Sequence, residues 1–359
     1  MGETTGISWT HHTANFWMGC QRVSPGCQKC YAETLVTTRM RLPVWGPPST
    51  TERHRTKSAW VDVPRWNRAA KRDGVRRRLF VSSLADVFED HPAVAPWRAE
   101  ALDLLAQCDG LDVQLLTKRP ENILDMVPRA WRSAWPQHVW VGTTVEDQRR
   151  AEERIPELLD VPAPVRFLSM EPLLEPVDLS EWLAPQSHCN GCGESHDGHV
   201  PDECPSCDTD ALITTFGGPQ AERWRTGERY DHDSWRGRRD IAVGIDINWI
   251  IVGGESGVGA RAFDVAWVRS ILKSWSRWVP VFVKQLGAHA IDSAQYDVIG
   301  PSGAVHYVRA VGDDALAREA AALPAYSTRP HSVSRTIRDR AGAAINEWPL
   351  DIRIQEFPR

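Results

Sequence analysis

Six short apolar runs, at residues 79–84, 113–116, 139–141, 165–168, 249–252 and 281–283, constrain this chain more than any other feature. Each is rich in Val, Ile, Leu or Phe without polar alternation, so each is expected to be a strand buried on both faces. Helical patterns lie between them at 97–108, 147–159 and 265–275, the last with Asp264 placed to cap it. Strands of this kind separated by helices form a parallel sheet. A further short strand within residues 7–13 makes a seventh unit. No G-x-G-x-x-G follows the first strand, which weighs against a dinucleotide-binding sheet. The expected class is α/β, a partial or complete (β/α) barrel.

The residues following the runs are reactive in type: Ser82, Ser83 and Asp86; Thr117, Lys118 and Arg119; Thr143, Thr144 and Glu146; Ser169 and Glu171; Glu255 and Ser256; Lys284 and Gln285. In a (β/α) barrel the C-terminal strand ends converge on one mouth, where binding and catalytic residues collect. One charged residue after a strand is an ordinary solvated loop or helix cap. Recurrence at six strand ends points to a functional mouth. Lys118, Arg119, Glu171, Glu255, Lys284 and Gln285 are the catalytic candidates. Ser83, Asp86, Thr144, Glu146, Ser169, Gly253 and Gly254 are candidates for cofactor binding, joined by Tyr31 from upstream. Lys284 and the pair Lys118-Arg119 suit a phosphate or carboxylate; the structural alternative is an ion pair with Glu171, Glu146 or Asp86.

Upstream of the sheet, residues 15–33 carry Cys20, Cys27 and Cys30 at spacing C-x6-C-x2-C, in a loop broken by Gly19, Pro25 and Gly26. Three thiolates on one short loop suit an iron–sulfur cluster, whose fourth iron would stay open to a small ligand. They equally suit a structural zinc completed by His11 or His12, or reduced thiols. A helix is expected over 31–45, then an irregular stretch over 43–64. Residues 65–78 hold seven basic side chains around Trp66, read as a solvated helix face or a phosphate-contacting surface.

Asn15, Trp17, Gly19-Cys20, Gly26-Cys27 and Cys30-Tyr31-Ala32-Glu33 resemble the cluster loop of radical S-adenosylmethionine (SAM) enzymes, and of spore-photoproduct-lyase-like proteins in particular. More narrowly, the chain resembles a phage-associated three-Cys-motif family of radical-SAM-like proteins. The match continues through Leu116-Thr117-Lys118-Arg119-Pro120, Arg166-Phe167-Leu168-Ser169-Met170-Glu171-Pro172, Gly253-Gly254-Glu255-Ser256-Gly257 and Val283-Lys284-Gln285. The resemblance implies a barrel of radical SAM type, with a 4Fe–4S cluster on Cys20, Cys27 and Cys30 and SAM on the open iron. It further implies an electron donor such as flavodoxin or ferredoxin, and a nucleic acid base or nucleotide as substrate for modification or repair. The commonest loop of these enzymes is C-x3-C-x2-C with an aromatic before the last cysteine, so this loop departs from it. Gly253-Gly254-Glu255 resembles the element that holds the amino group of SAM, although here it follows the sixth run rather than an early one.

The runs start at 79, 113, 139, 165, 249 and 281, giving steps of 34, 26, 26, 84 and 32 residues. The long step contains Cys189-x2-Cys192-x11-Cys204-x2-Cys207, two knuckles that read as a closed four-thiolate zinc site. Beyond it lies an arginine- and tryptophan-rich segment at 223–239, a pattern able to stack bases and pair phosphates. The expected organisation is therefore a barrel over 1–178 and 245–290, a zinc-binding insertion over 179–244 and an extension over 291–359 that wraps the barrel. A strand at 305–309 and a helix at 313–323 are expected within that extension. Seven of the eight cysteines fall in metal-like groups, which suits a reducing cytoplasm; Cys108 is expected to be buried and inert. The net charge of −5 excludes a generally basic coat, and no apolar run is long enough to span a membrane. The alternative function is a nucleic-acid-binding protein whose metal sites are both structural zincs. The two sites are separable by substitution: Cys20→Ala is expected to abolish iron binding without unfolding the barrel. Cys204→Ala is expected to destabilise the insertion and spare the iron, as read by metal analysis of both purified variants.

Overall fold

A computed structural model describes residues 5–183, 247–299, 339 and 342–358, together with strands 185–189, 195–197, 212–216, 305–309 and 327–334. Seven parallel strands form the central sheet: β1 (His12–Ala14), β2 (Arg77–Val81), β3 (Leu111–Thr117), β4 (Val139–Thr144), β5 (Arg166–Met170), β6 (Trp249–Gly253) and β7 (Val281–Gln285). Their order across the sheet is their order along the chain, with no reversal. A sheet wound in one direction curls toward closure, whereas a doubly wound sheet reverses at a switch point. The result is a curled half-barrel of mixed α/β class. All six expected runs contribute strands to this sheet, and the seventh strand, expected within 7–13, lies at His12–Ala14.

Alternate residues along the strands go to two separate cores. Leu79, Val81, Val113, Leu115, Val139, Val141, Leu168, Met170, Ile250, Val252, Val281 and Val283 face the helices. These helices are α1 (Ser58–Asp73), α2 (Val94–Ala106), α3 (Gln148–Leu159) and α4 (Val265–Trp275). Asp147 and Asp264 cap α3 and α4, accepting backbone N–H groups from Arg150 and Ala266. The other face fills the lumen with Phe80, Trp140, Phe167, Trp249, Ile251 and Phe282, joined by Trp9 from the segment before β1. Trp249 lies at the centre, edge-on to Trp9, Trp140 and Phe282 at 6.1, 6.4 and 6.1 Å. Edge-to-face contacts of this kind suit rings with negative faces and positive rims.

Several expectations need correction. The helix expected over 31–45 is a single turn, Tyr31–Thr34, continued by a π-turn over Leu35–Arg39. The stretch expected to be irregular to residue 64 holds the first two turns of α1, which runs through Pro64. Trp66 is not on a solvated face: it is buried and stacked on His12 at 4.5 Å. Beside it, Arg65, Lys71, Arg72, Arg76 and Arg77 pair with Asp62, Asp109, Asp73, Asp112 and Asp73. These ion pairs are largely solvent-exposed. Cys108 is buried as expected, and burial pushes its thiol up to about 11.

Of the insertion, the described part is an antiparallel three-stranded sheet of Leu212–Phe216, Pro185–Cys189 and Ser195–Asp197. Cys192, Cys204, Cys207, the side chain of Cys189 and the 223–239 segment lie outside the described residues, as does the helix expected at 313–323. In the extension, Ala290–Ile299 pairs with Val305–Arg309, Ser327–Ser334 and Phe263–Asp264. The last residues return to β7, where Val283 N–H donates to the Ile354 carbonyl and Glu356 N–H to the Val281 carbonyl, both within 3.1 Å. Trp249 Nε1 donates to the Glu356 carbonyl at 2.8 Å. No described helix is long and apolar enough to cross a membrane.

Lumen packing leaves no spare volume at Gly142. A Cβ there would stand 2.5 Å from the Phe167 ring. Gly142→Ala is therefore expected to cost about 1–3 kcal/mol by overpacking. Denaturant midpoints of Gly142→Ala should show that cost, and adding Phe167→Leu should not recover it, because the Phe167 carbonyl oxygen would still lie 2.6 Å from the new Cβ.

Candidate functional site

One cavity opens at the C-terminal ends of the strands, with a volume of about 200 Å³. Cys20, Cys27 and Cys30 all line it. So do Tyr31, Ser83, Asp86, Lys118, Arg119, Thr144, Ser169, Glu171, Gly254, Glu255, Lys284 and Gln285. Glu146 and Gly253, the other two candidates, stand just behind the wall.

The cysteine loop is fastened to the strand ends at four points. Gly19, at φ 110, donates its N–H to the Leu84 carbonyl, and a Cβ there would meet the Val44 carbonyl oxygen at 2.3 Å. Only glycine fits such a position. From the end of β3, Arg119 donates to the Gln21 carbonyl at 2.9 Å and approaches Cys20 Sγ at 3.8 Å. From the end of β4, Glu146 accepts the Gly26 N–H at 3.2 Å while it pairs with buried Arg154 at 2.7 Å. From beyond β6, Arg261 donates to the Pro25 carbonyl at 2.9 Å and grips Glu255 at 2.6 Å. Tyr31 adds a fifth contact, its hydroxyl donating to the Ser83 carbonyl at 2.9 Å.

Glu171, just past β5, gathers two neighbours from β7: Lys284 at 2.5 Å and Gln285 at 3.0 Å. Adjacent residues of a regular strand point to opposite faces. Here the register slips, Val252 pairing with Val283 but Gly253 with Gln285. The extra residue is Lys284, a β-bulge that re-aims both side chains at one carboxylate. Lys118 carries its ammonium to Thr144 Oγ1 at 3.2 Å.

Asp86 is fully committed. Its carboxylate accepts from Thr117 Oγ1, the N–H groups of Lys118 and Phe88, and Arg119, all within 3.0 Å. Burial pushes its pKa up, but Arg119, Thr117 and the two N–H groups outweigh that and hold it below the usual carboxylate range. It locks the strand ends together while lining the cavity. A Cβ on Gly254 would lie 2.3 Å from the Leu286 carbonyl oxygen, and Gly253 faces the Gln285 backbone and Glu171. Both glycines let two pieces of chain meet, and Gly254 also lines the cavity. Glu255 is engaged by Arg261, and Glu146 by Arg154 and Gly26.

Burial pushes the Cys20 thiol up to about 12, with Arg119 opposing that rise. Burial likewise raises Cys30, with Lys118 among the groups opposing it. Among the described residues no group of three or more His, Cys, Asp or Glu side chains is drawn together as ligands of a single metal ion. His11 is not beside the thiols: it accepts the Arg78 N–H at 2.9 Å, and His12 stacks on Trp66.

Arg261 and Trp9 were not legible as site residues. They lie outside the strand-end pattern, and only the tertiary fold brings Trp9 to the cavity and Arg261 to the loop.

A family model, DUF5131, described as a protein of unknown function, matches residues 4–348. No curated protein and no solved structure matches the chain.

Asp86 gives a pH prediction. Its folded pKa lies below the unfolded value of about 3.9, so its pairing stabilises the fold above that pH and is lost as pH falls through the folded value. Asp86→Asn is expected to cost about 3–5 kcal/mol at neutral pH by stranding Arg119. Urea unfolding at neutral and acid pH should show a smaller stability difference between wild type and variant in acid.

Proposed function

We infer, for a chain that belongs to the DUF5131 family, that the half-barrel is a radical SAM enzyme acting on a nucleic acid base or nucleotide. The observation that carries this reading is the single cavity in which all three thiols of the loop meet polar side chains from the strand ends. The resemblance of that loop to radical SAM enzymes supplies the cofactors: a 4Fe–4S cluster on Cys20, Cys27 and Cys30, with SAM beside it. When bound, that pair supplies reductive cleavage of the sulfonium and a carbon radical able to take hydrogen from a substrate.

The chain's own residues do the positioning. Arg119, Glu146 and Arg261 fix the backbone at Gln21, Gly26 and Pro25, so the thiols are held toward the cavity. The Arg119 guanidinium near Cys20 favours the thiolate form that a metal needs. Lys118, with its ammonium on a hydroxyl rather than a carboxylate, is a cation suited to a carboxylate or phosphate of a ligand. Glu171, balanced by Lys284 and Gln285, places a carboxylate beside them for an ammonium or hydroxyl. Below, the aromatic lumen excludes water from the reacting groups. A four-thiolate zinc on Cys189, Cys192, Cys204 and Cys207 would stabilise the insertion, and flavodoxin or ferredoxin would deliver the electron.

Anaerobically prepared protein is expected to be coloured, with about four irons and matching sulfide per chain. With dithionite and SAM it should release 5′-deoxyadenosine, at a rate raised by DNA, RNA or nucleotides. A colourless preparation holding zinc alone would favour the nucleic-acid-binding alternative. An iron-loaded protein that leaves SAM intact would make it a cluster-bearing partner or sensor.

A further inference from the structure

Three carboxylates line the cavity, and each has its own cation: Asp86 has Arg119 at 2.8 Å, Glu171 has Lys284 at 2.5 Å and Glu255 has Arg261 at 2.6 Å. Two further lysines line the same cavity without such a partner. Lys118 carries its ammonium to a hydroxyl, Thr144 Oγ1, and is in ion-pair contact with no carboxylate among the described residues. Glu146, which feels its charge from a distance, is already held by Arg154 and the Gly26 N–H. Lys29 is exposed and makes no hydrogen bond or ion pair among the described residues. One exposed lysine is ordinary. Two on a concave wall whose every carboxylate is paired give that wall a positive field, which draws anions.

Beside Lys29 lies a second feature of the same sign. Its Nζ stands 3.5 Å from where a Cβ on Gly259 would be. Gly259 ends the turn Ser256-Gly257-Val258-Gly259, which leaves the cavity wall at Ser256. Gly257 and Gly259 are at φ 95 and 73, whereas Ser256 and Val258 are at negative φ. Backbone alternating in this way gathers successive N–H groups around a concavity, the device by which glycine-rich loops hold phosphates. None of the N–H groups of residues 256–259 donates to another described residue. The base of the turn is fixed, since Arg261 grips Glu255 through its N–H and guanidinium and also reaches the Pro25 carbonyl. Turn and cysteine loop are thereby held side by side.

We propose that Lys29, Lys118 and the 256–259 turn form a phosphate-binding site at the cavity mouth. The substrate then enters as a nucleotide or a nucleic acid strand, not as a free base or nucleoside. A phosphate group brings negative charge and several strong acceptor oxygens, which suits two ammonium groups and a run of N–H donors. A carboxylate has fewer acceptors to offer them. The nucleotide class rests on the function proposed above, whereas recognition of the phosphate needs no cluster.

Calorimetry of the full-length chain tests it, with adenosine, guanosine, cytidine and uridine, their 5′-monophosphates, and a short single-stranded oligodeoxynucleotide. At least one phosphate-bearing probe is expected to bind about tenfold or more tighter than the nucleosides. Lys29→Gln and Lys118→Gln should each weaken that probe about tenfold and lower the salt slope of its affinity by about one. Lys273→Gln, on α4 and outside the cavity wall, should leave both unchanged. Equal binding of nucleosides and phosphates, binding of none of the probes, or the same loss in Lys273→Gln would overturn the proposal. So would a loss in Lys29→Gln confined to SAM, which would assign the lysine to that ligand's carboxylate. Iron analysis and 5′-deoxyadenosine release in the same preparations keep the two readings apart. Phosphate-selective binding by protein that takes up no iron would sink the radical chemistry and leave this site standing; SAM cleavage without phosphate selectivity would do the reverse.

Discussion

Both oxygens of Asp86 are occupied by donors from β3 and its own turn, and one of those donors, Arg119, continues to Cys20 and Gln21. Through this buried pair the end of β2, the end of β3 and the start of the cysteine loop become one rigid unit. A charge of this kind is tolerated in the interior only when every lone pair is met, and here every one is. Arg53 and Glu89, bidentate and almost fully buried nearby, repeat the arrangement one step further from the cavity. The loop bearing the thiols has little secondary structure, yet these contacts give it the fixity of the sheet.

The cavity is then built in two layers. Charged and hydroxyl side chains ring its mouth, and aromatic side chains close its floor, with the boundary near Leu116 and Ser169. The layering follows from the pleat. Phe80 and Ser82 on one strand, and Leu116 and Lys118 on the next, alternate with residues given to the helices, so each of these two strands delivers one apolar and one polar side chain to the cavity. Seventeen tryptophans are many for the length of the chain, and this lumen takes several of them.

The sheet was readable because strands buried on both faces leave unbroken apolar runs, and the runs at 79, 113, 139, 165, 249 and 281 are all in it. The convergence of the strand ends was readable for the same reason, and it placed Lys118, Glu171, Lys284 and the three thiols around one cavity. What each side chain does there was not. Lys284 and Gln285 share a partner only because of a bulge, a slip of register that no apolar pattern records. Glycines at 253 and 254 look alike whether they admit a ligand or a neighbouring strand. Arg261 reaches Pro25 from a loop 236 residues away in the chain, and nothing local announces it. The start of α1 was hidden by Pro64, which the helix carries inside its second turn.

The edge of β7 is covered by the chain's own distant segment, with Ile354 and Glu356 bonded to its backbone and Phe357 packed 5.1 Å from Phe282. An exposed parallel edge beside so many aromatic side chains would invite pairing between molecules. On the ribosome, that edge stays open from the moment β7 emerges until residues beyond 354 follow it. Closing so long a loop is slow compared with forming local contacts. Covering this border is therefore a long-range contact, made only once the segment at 354–357 has been synthesised.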